Sequence, residues 1–283
     1  MESLLSSAFD QLLSYDPTSV RRGLRHIEGL LAHLCRPYDA AGASKRSNNK
    51  DKPSVVDTRV ADDPAYREFL RLQDGFEWNI ALRLISCMEK LLGQESNDLT
   101  TLLLLSSLDL LQGVLLIHAP SRRVFARDVN MTILLDLLEP QSSSPQIQSA
   151  TVNTLVCALV EEWPNVRTFE NLDGLASMCT LFKRKSTDKE VKLKILEFLF
   201  FYLVPESSSS SPLTTTAKND EVAIRRSSSS GGSGSSSSNG NSRPGLVFRT
   251  TVEKQKMLGK YLSNVDNLVN ELRQSQPFGN LMI

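Results

Sequence analysis

Three histidines and four cysteines are the residues of this sequence best suited to bind a metal ion or act as nucleophiles. They are His26, His33, His118, Cys35, Cys87, Cys157 and Cys179. None falls in an HExxH or CxxC arrangement, the spacings typical of metal and redox sites. The cysteines lie on apolar faces of predicted helices, where a free thiol behaves as a small hydrophobic group. We therefore expect no metal site and reduced cysteines, as in a cytosolic protein.

Other catalytic signatures are also missing from the sequence. It contains no GxxxxGK[ST], GxGxxG or GxSxG motif, so neither a phosphate-binding loop nor a nucleophile elbow is predicted. No cysteine is followed six residues later by the arginine that a cysteine phosphatase needs. Glu161 and Glu162 are adjacent acids, but neighbouring helix residues point apart and make a poor acid–base pair. We predict no catalytic residue, no cofactor and no enzymatic activity.

The charge balance argues against nucleic acid and membrane partners. Lys and Arg number 32, as do Asp and Glu, so no net field attracts a polyanion. The basic stretches lack the interleaved aromatic residues of a single-strand binder. Residues 99–119 are apolar enough to suggest a membrane span, but Asp109 and Gln112 near the middle favour a buried core helix. The acidic beginning of the sequence predicts no signal peptide.

An internal repeat of 44 residues shows how the helices are arranged. Residues 119–138 recur at 163–182, and a third, partial copy continues to residue 203. A period in the forties is typical of armadillo and HEAT stacking. The alternative is an irregular helical domain with two similar corners. The matched pairs are Pro120/Pro164, Arg123/Arg167, Phe125/Phe169, Leu137/Leu181, Leu111/Leu155 and Leu115/Leu159, and in the third copy Ile147/Val191, Val152/Leu196, Leu155/Leu199 and Leu159/Leu203.

These patterns predict an all-α, armadillo- or HEAT-like, right-handed helical solenoid. Residues 1–204 form the helical-repeat domain, with a surface loop at 38–61 where apolar periodicity is lost. Residues 205–245 are predicted to be a disordered, serine-rich linker, because 15 serines and few large apolar residues fall between 207 and 242. Residues 246–283 are predicted to supply a C-terminal helix that completes the same domain.

The C-terminal helix has a continuous apolar stripe and therefore needs a surface to cover. Over 253–273 the stripe consists of Leu258, Tyr261, Leu262, Val265, Leu268, Val269 and Leu272. The helix at 188–204 is apolar nearly all round at its C-terminal end, where it carries Phe200, Phe201 and Tyr202. We predict that the C-terminal helix packs back and caps the last repeat.

Three segments resemble the fungal cell division control protein 14 family, the septation initiation network component that is unrelated to the phosphatase of the same name. They are LLSSAFDQLLSYDPTSVRRGLRHIEGLLAHLC (4–35), EFLRLQDGFEWNIALRLISCMEKLL (68–92) and LGKYLSNVDNLVNELRQSQPFG (258–279). The resemblance implies a non-catalytic scaffold or activating partner of a germinal-centre-type serine/threonine protein kinase. It further implies a cytoplasmic protein that acts at the spindle pole body in septum formation and cytokinesis, as a monomer within a heterodimer.

The alternative function is a general helical-repeat adaptor that binds a peptide segment of another protein without any kinase. For partner binding we predict Arg71 and Trp78, which flank a short turn, and Arg167, which recurs at the corner. For phosphorylation we predict Ser228, three residues after Arg225, and Ser211, which precedes a proline.

Overall fold

Helices account for every regular element in the part of the chain that the structure describes. The structure is a computed structural model, and it describes residues 1–35, 63–95, 97–139, 143–206, 248–267 and 269–270. No strand occurs among these residues, so the predicted all-α class is confirmed. The helices are α1 (Glu2–Leu13), α2 (Pro17–Leu34), α3 (Pro64–Asp74), α4 (Ile80–Leu92), α5 (Asp98–Ile117), a 3₁₀ helix (Ala119–Ala126), α6 (Asp128–Asp136), α7 (Pro145–Leu159), α8 (Trp163–Asn171), α9 (Gly174–Lys183), α10 (Lys189–Leu203) and α11 (Thr251–Leu258).

The helix boundaries follow from local capping chemistry. Asp63 accepts a hydrogen bond from the Ala65 amide, and Pro64 occupies the first position of α3. Asp16 caps α2 through Thr18 and Ser19, and these hydrogen bonds, that of the Thr18 hydroxyl first, lower the pKa of its carboxyl to about 2. Gly93 ends α4, but its φ of −76° is right-handed, so the left-handed cap for which it was suited is not formed.

The longer helices lie side by side in one row. α1 packs on α2, α2 on α5, α5 on α7, and α7 on α10. A second layer, formed by α4, the 3₁₀ helix and α8, covers this row from one side. This order is the one expected of a helical solenoid, whereas the right-handed sense of the stacking stays a prediction.

The 44-residue period is visible in the structure. Steps of 44 residues carry α5 onto α7 and α7 onto α10, and these three helices are neighbours in the row. Phe125 and Phe169 are both fully buried, and so are Leu111 and Leu155. The repeated apolar residues are therefore buried in each copy, where they fill the space between the two layers.

α5 is long and apolar enough to cross a membrane by length and composition alone, with a mean hydropathy of 1.8. It packs against α2, α4, α7 and the 3₁₀ helix. Its inward leucines, including Leu108 and Leu115, are fully buried in the common core. α5 is therefore a core helix in this structure, as the sequence predicted.

The C-terminal segment packs back onto the last repeat. α11 lies against α10, where Thr251 Oγ1 donates to the Leu203 carbonyl at 3.1 Å and Lys254 Nζ donates to the Val204 carbonyl at 2.9 Å. The equivalent carbonyls of earlier repeats, at Leu115 and Val160, accept hydrogen bonds from Arg122 in the second layer. α11 thus occupies the second-layer position that follows α10, and the predicted C-terminal cap is confirmed.

One predicted feature of this segment is wrong, namely a single helix over 253–273. α11 ends at Leu258, and a turn at Gly259 separates it from the residues that follow. Leu262 and Val265 beyond the turn are nevertheless buried in the common core. The apolar spacing identified the buried residues correctly, but glycine, which favours helix ends, interrupts the helix between them.

Candidate partner-binding surface

The turn between α3 and α4 displays two aromatic side chains. Phe76 is 70% exposed, so most of its ring is open to solvent. Trp78 is half-buried and stacks on Phe9 of α1, with ring centroids 6.3 Å apart. We call Gly75–Asn79 the aromatic turn.

Buried amide side chains hold the backbone of the aromatic turn. Gln73 Nε2 donates to the Trp78 carbonyl at 3.0 Å, and Gln73 Oε1 accepts from the Ile80 amide at 2.8 Å. Asn79 Nδ2 donates to the Gln73 carbonyl at 2.7 Å, and its Oδ1 caps α4 by accepting from the Leu82 amide. Because both ends of the turn are fixed in this way, the aromatic side chains are presented from a rigid base.

A second set of contacts ties the turn to the 3₁₀ helix. Asn79 Nδ2 also lies 3.0 Å from Ser121 Oγ. The buried His118 ring lies 2.8 Å from Ser121 Oγ through Nδ1 and 3.1 Å from Asp74 Oδ1 through Nε2. Burial lowers the pKa of His118, and the hydrogen bond and charge of Asp74 partly oppose this effect. The turn is therefore anchored to the repeat that follows it.

Two arginines border the aromatic turn. The Arg83 guanidinium lies 5.4 Å from the Phe9 ring centroid and 5.9 Å from that of Phe76, within the range of a cation–π contact. Arg71 is 65% exposed and makes two hydrogen bonds to the Glu68 carboxylate, at 2.8 and 2.9 Å. These hydrogen bonds raise the pKa of Arg71. The surface thus combines exposed aromatic area with fixed positive charge.

The predicted partner-binding residues do not share one place. Arg71 lies in α3, before the aromatic turn, and Trp78 lies within the turn. Arg167 lies in α8, where its guanidinium contacts Glu170 at 3.1 Å and also pairs with Glu206. The predicted phosphorylation sites Ser211 and Ser228 lie outside the described residues.

Arg167 belongs to an ionic cluster beneath the C-terminal segment. We use that name for Arg167, Glu170, Glu206, Arg249 and Lys254. Arg249 pairs with Glu170, and Lys254 Nζ lies 3.3 Å from Glu206 Oε1. The side chain of Glu206 is fully buried and that of Glu170 is 2% exposed. The cluster joins α8, the end of α10 and α11 by charge.

The electrostatics of the cluster follow from burial opposed by pairing. Burial lowers the pKa of Lys254, and the charge of Glu206 opposes that effect. For Arg167 burial also disfavours the charge, but the contacts to Glu206 and Glu170 outweigh it and raise the pKa. Tyr202 donates to Glu170 at 2.7 Å, and burial followed by this hydrogen bond raises its pKa. The ionic cluster links the C-terminal segment to α8 and to the end of α10, and Arg167 is one of its members.

Sequence reasoning missed Phe76 and Arg83. The stretch QDGFEW puts a large aromatic residue directly after Gly75, in a turn with acidic and amide neighbours. A residue in such a turn has no helix face through which to reach the core, so the exposure of Phe76 could have been predicted from the sequence. Nothing local indicated Arg83, because its stacking partner Phe9 lies in α1.

The residues first considered for chemistry are dispersed. Cys87 and Cys179 are buried, Cys157 is half-buried and Cys35 is exposed. Across the described ranges, no three His, Cys, Asp or Glu side chains converge closely enough to hold a metal ion.

Comparison with known proteins finds matches that span nearly the whole chain. A family model described as "Cell division control protein 14, SIN component" matches residues 1–278. The Cell division control protein 14 of Schizosaccharomyces pombe is 30% identical over 291 aligned residues, which cover 99% of this chain and 98% of that protein. No solved structure matches the chain. The matched range contains both the aromatic turn and the ionic cluster.

Proposed function

The chain belongs to the Cell division control protein 14 family of septation initiation network (SIN) components, and from that premise we propose that it is a non-catalytic scaffold or activating subunit. Its partner is a germinal-centre-type serine/threonine protein kinase. The pair acts in the cytoplasm and at the spindle pole body to promote septum formation and cytokinesis. In this proposal the aromatic turn contacts the kinase.

The observation that carries the proposal is the exposure of Phe76 on a rigid turn. An aromatic side chain that is 70% exposed contributes little to folding. Aromatic and arginine side chains are the types that contribute most at protein interfaces, about 2 kcal/mol or more when they lie at the centre. The buried hydrogen bonds of Gln73 and Asn79 reduce the entropy that a partner must offset to order the turn.

Such a surface suits a scaffold because it offers contact without chemistry. A partner that binds Phe76 would also meet Trp78 and the charges of Arg71 and Arg83, all held by α3 and α4. A kinase bound by its flank can be stabilised in an active arrangement or held at a location, and the proposal includes both roles.

Co-purification of the kinase with tagged variants of the full chain tests the proposal. We expect Phe76→Ser and Arg71→Glu to reduce kinase recovery strongly while the thermal stability of the chain changes little. Val129→Ser is the matched control, because Val129 is also 70% exposed but lies on α6. Kinase recovery that is unchanged by both variants refutes the aromatic turn as the contact surface. A chain that recovers no such kinase refutes the partner.

The alternative function, an adaptor for a peptide segment without a kinase, is distinguished by the same experiment. In that case the proteins recovered from dividing cells contain no kinase whose presence depends on Phe76. Ser211 and Ser228 enter this proposal as phosphorylation sites, and phosphopeptide mapping of the chain from mitotic cells tests them.

A further inference from the structure

Three leucines on the outer face of α5 are exposed to solvent. Leu99, Leu102 and Leu116 are 39%, 47% and 62% exposed. Their spacing places them on one side of the helix, opposite the buried leucines of the core. Leu99 and Leu102 form a short apolar stripe near the start of α5, whereas Leu116 lies about 21 Å beyond Leu102, on the far side of the exposed Asp109.

The repeat shows that stacking does not require leucine at these places. In α7 and α10 the position of Leu102 is taken by Gln146 and Glu190. The residues equivalent to Leu99 are Ser143 and Thr187. α7 and α10 pack in the same row as α5, so polar residues satisfy the fold at the positions of Leu99 and Leu102. Leu99 and Leu102 are therefore not needed for packing within the row, whereas the position of Leu116 is apolar in both other copies, as Val160 and Val204.

A groove runs between this stripe and α2. The buried Leu24 forms its floor, with Leu102 and Leu110 of α5 along one wall. Leu31 of α2 lies beside Gly113, further along α5, so the two helices run in the same direction. A residue early in α2 therefore lies opposite an early part of α5, and a later residue of α2 lies opposite a later part of α5.

The groove has charge of opposite sign at its two ends. Among the residues that line it, Arg21 and Arg25 precede Glu28 along α2, and Asp109 of α5 lies opposite the Glu28 end. None of these four groups makes an ion pair with another described residue. Burial raises the pKa of Asp109, because no cation accompanies the carboxylate. Both ends would gain from an oppositely charged partner.

We propose that this groove binds a short amphipathic segment of another protein, and that the segment lies in a single orientation along the groove. Leucine-type side chains of the segment contact Leu102 and Leu110. Its acidic end lies over Arg21 and Arg25, and its basic end lies over Glu28 and Asp109. This is a helix-in-groove or extended-peptide mode of recognition. The site is formed by α2 and α5 and is distinct from the aromatic turn, so it does not depend on the proposed kinase contact.

A phage-displayed library of random 16-residue peptides, selected against the purified full chain, tests the proposal. The counter-selection uses Leu102→Gln, a substitution that the equivalent Gln146 of α7 shows to be compatible with the fold. We expect enriched peptides with acidic residues at one end, leucines in the centre and basic residues at the other end. Leu102→Gln and Arg25→Glu should each weaken binding of a synthesised peptide by about tenfold or more, whereas Val129→Ser should not.

Charge exchange supplies the sharper measurement. A variant with Arg21→Glu, Arg25→Glu and Glu28→Arg should lose the selected peptide and bind the same peptide with its charges reversed. No enrichment above the counter-selection, or binding that ignores charge order, overturns the proposal. Light scattering that reveals a dimer dissociated by Leu102→Gln also overturns it, because a second copy would then occupy the groove.

Discussion

At the scale of single residues, the same ion pair is formed in two successive repeats with different surroundings. Arg123 pairs with Glu162 at 3.6 Å, and Arg167, at the next repeat position, pairs with Glu206. The Glu162 side chain is 17% exposed and faces one arginine that is mostly exposed. The buried Glu206 carboxylate also contacts Lys254. The two glutamates are therefore a natural pair for separating the effect of burial from that of repeat position.

We predict that Glu206→Gln destabilises the chain by about 3–5 kcal/mol, because it leaves buried cations without their counter-charge. Glu162→Gln removes the equivalent carboxylate from a pair whose arginine is 76% exposed and should lower stability by less than about 1 kcal/mol. Urea unfolding of both full-length variants measures the difference. Equal losses for the two would show that the ionic cluster does not hold the C-terminal segment.

Thiol reactivity is a second property of single residues. Burial raises the pKa of Cys87 and of Cys179 to about 11. Since the thiolate is the reactive form, both thiols should resist iodoacetamide at pH 8, whereas the exposed Cys35 should be alkylated rapidly. Mass spectrometry of native and urea-unfolded protein checks this. Rapid native alkylation of Cys87 or Cys179 would contradict the buried placement.

The candidate site shows which placements follow from local sequence. Arg71 and Trp78 were predicted to flank a turn, and the structure has them at the aromatic turn, because residue type and turn position are local properties. Arg167 was predicted because it recurs at a corner, and the role of all three in partner binding stays a prediction. Its partner Glu206 comes from a distant part of the chain, as does Arg249, which pairs with the same Glu170. Local spacing carries no information about such contacts.

At the scale of elements, α1 and α2 cross unusually closely at Gly23. A Cβ atom at this position would lie 2.9 Å from the Ala8 carbonyl oxygen and 3.2 Å from the Leu12 amide nitrogen. Backbone atoms of a packed helix cannot move aside as a flexible side chain can. Glycine is therefore required at the crossing, even though it is a poor helix former.

We predict that Gly23→Ala separates α1 from α2 and lowers stability by about 1–3 kcal/mol. The matched control is Gly29→Ala in the same helix, where a Cβ would meet nothing within 4 Å. There alanine should raise stability by about 0.5–1 kcal/mol through helix propensity. Chemical denaturation gives both values, and a stabilising Gly23→Ala would be inconsistent with the close crossing.

The C-terminal elements illustrate the limit of periodicity. Apolar residues spaced three and four apart predicted one helix, yet the chain turns at Gly259 between Leu258 and Leu262. Both leucines are buried because the turn still directs them to α10 and its neighbours. Burial could be predicted from spacing alone, whereas helix continuity depends on each intervening residue.

At the scale of the whole molecule, the array of stacked helices could be predicted because its buried residues recur every 44 residues. Phe125 and Phe169 fill equivalent buried places, and a step of 44 residues carries both bounds of α7 onto those of α10. The two ends of the array have no such regularity. How α11 completes the last repeat depends on hydrogen bonds to Leu203 and Val204 whose donors, Thr251 and Lys254, follow the segment 207–247.

The completion of the last repeat leads to a prediction about the whole chain. The Glu206 amide donates to the Arg249 carbonyl at 3.0 Å, so the two ends of the segment 207–247 lie side by side. Replacing that segment by a six-residue Gly-Ser bridge should leave the fold intact. Closing a shorter loop loses less entropy, so stability should rise by about 1–2 kcal/mol.

Truncation after Pro205 should have the opposite effect, because it removes Glu206 and α11 together. Arg167 then loses one carboxylate partner, and the carbonyls of Leu203 and Val204 lose their donors. We expect the truncated chain to aggregate or to unfold at much lower urea concentration than the bridged variant, as judged by light scattering and circular dichroism. A truncated chain that is monomeric and as stable as the full chain would show that α11 is not part of the last repeat. An unfolded bridged variant beside a folded full chain would show that the segment itself is needed for folding.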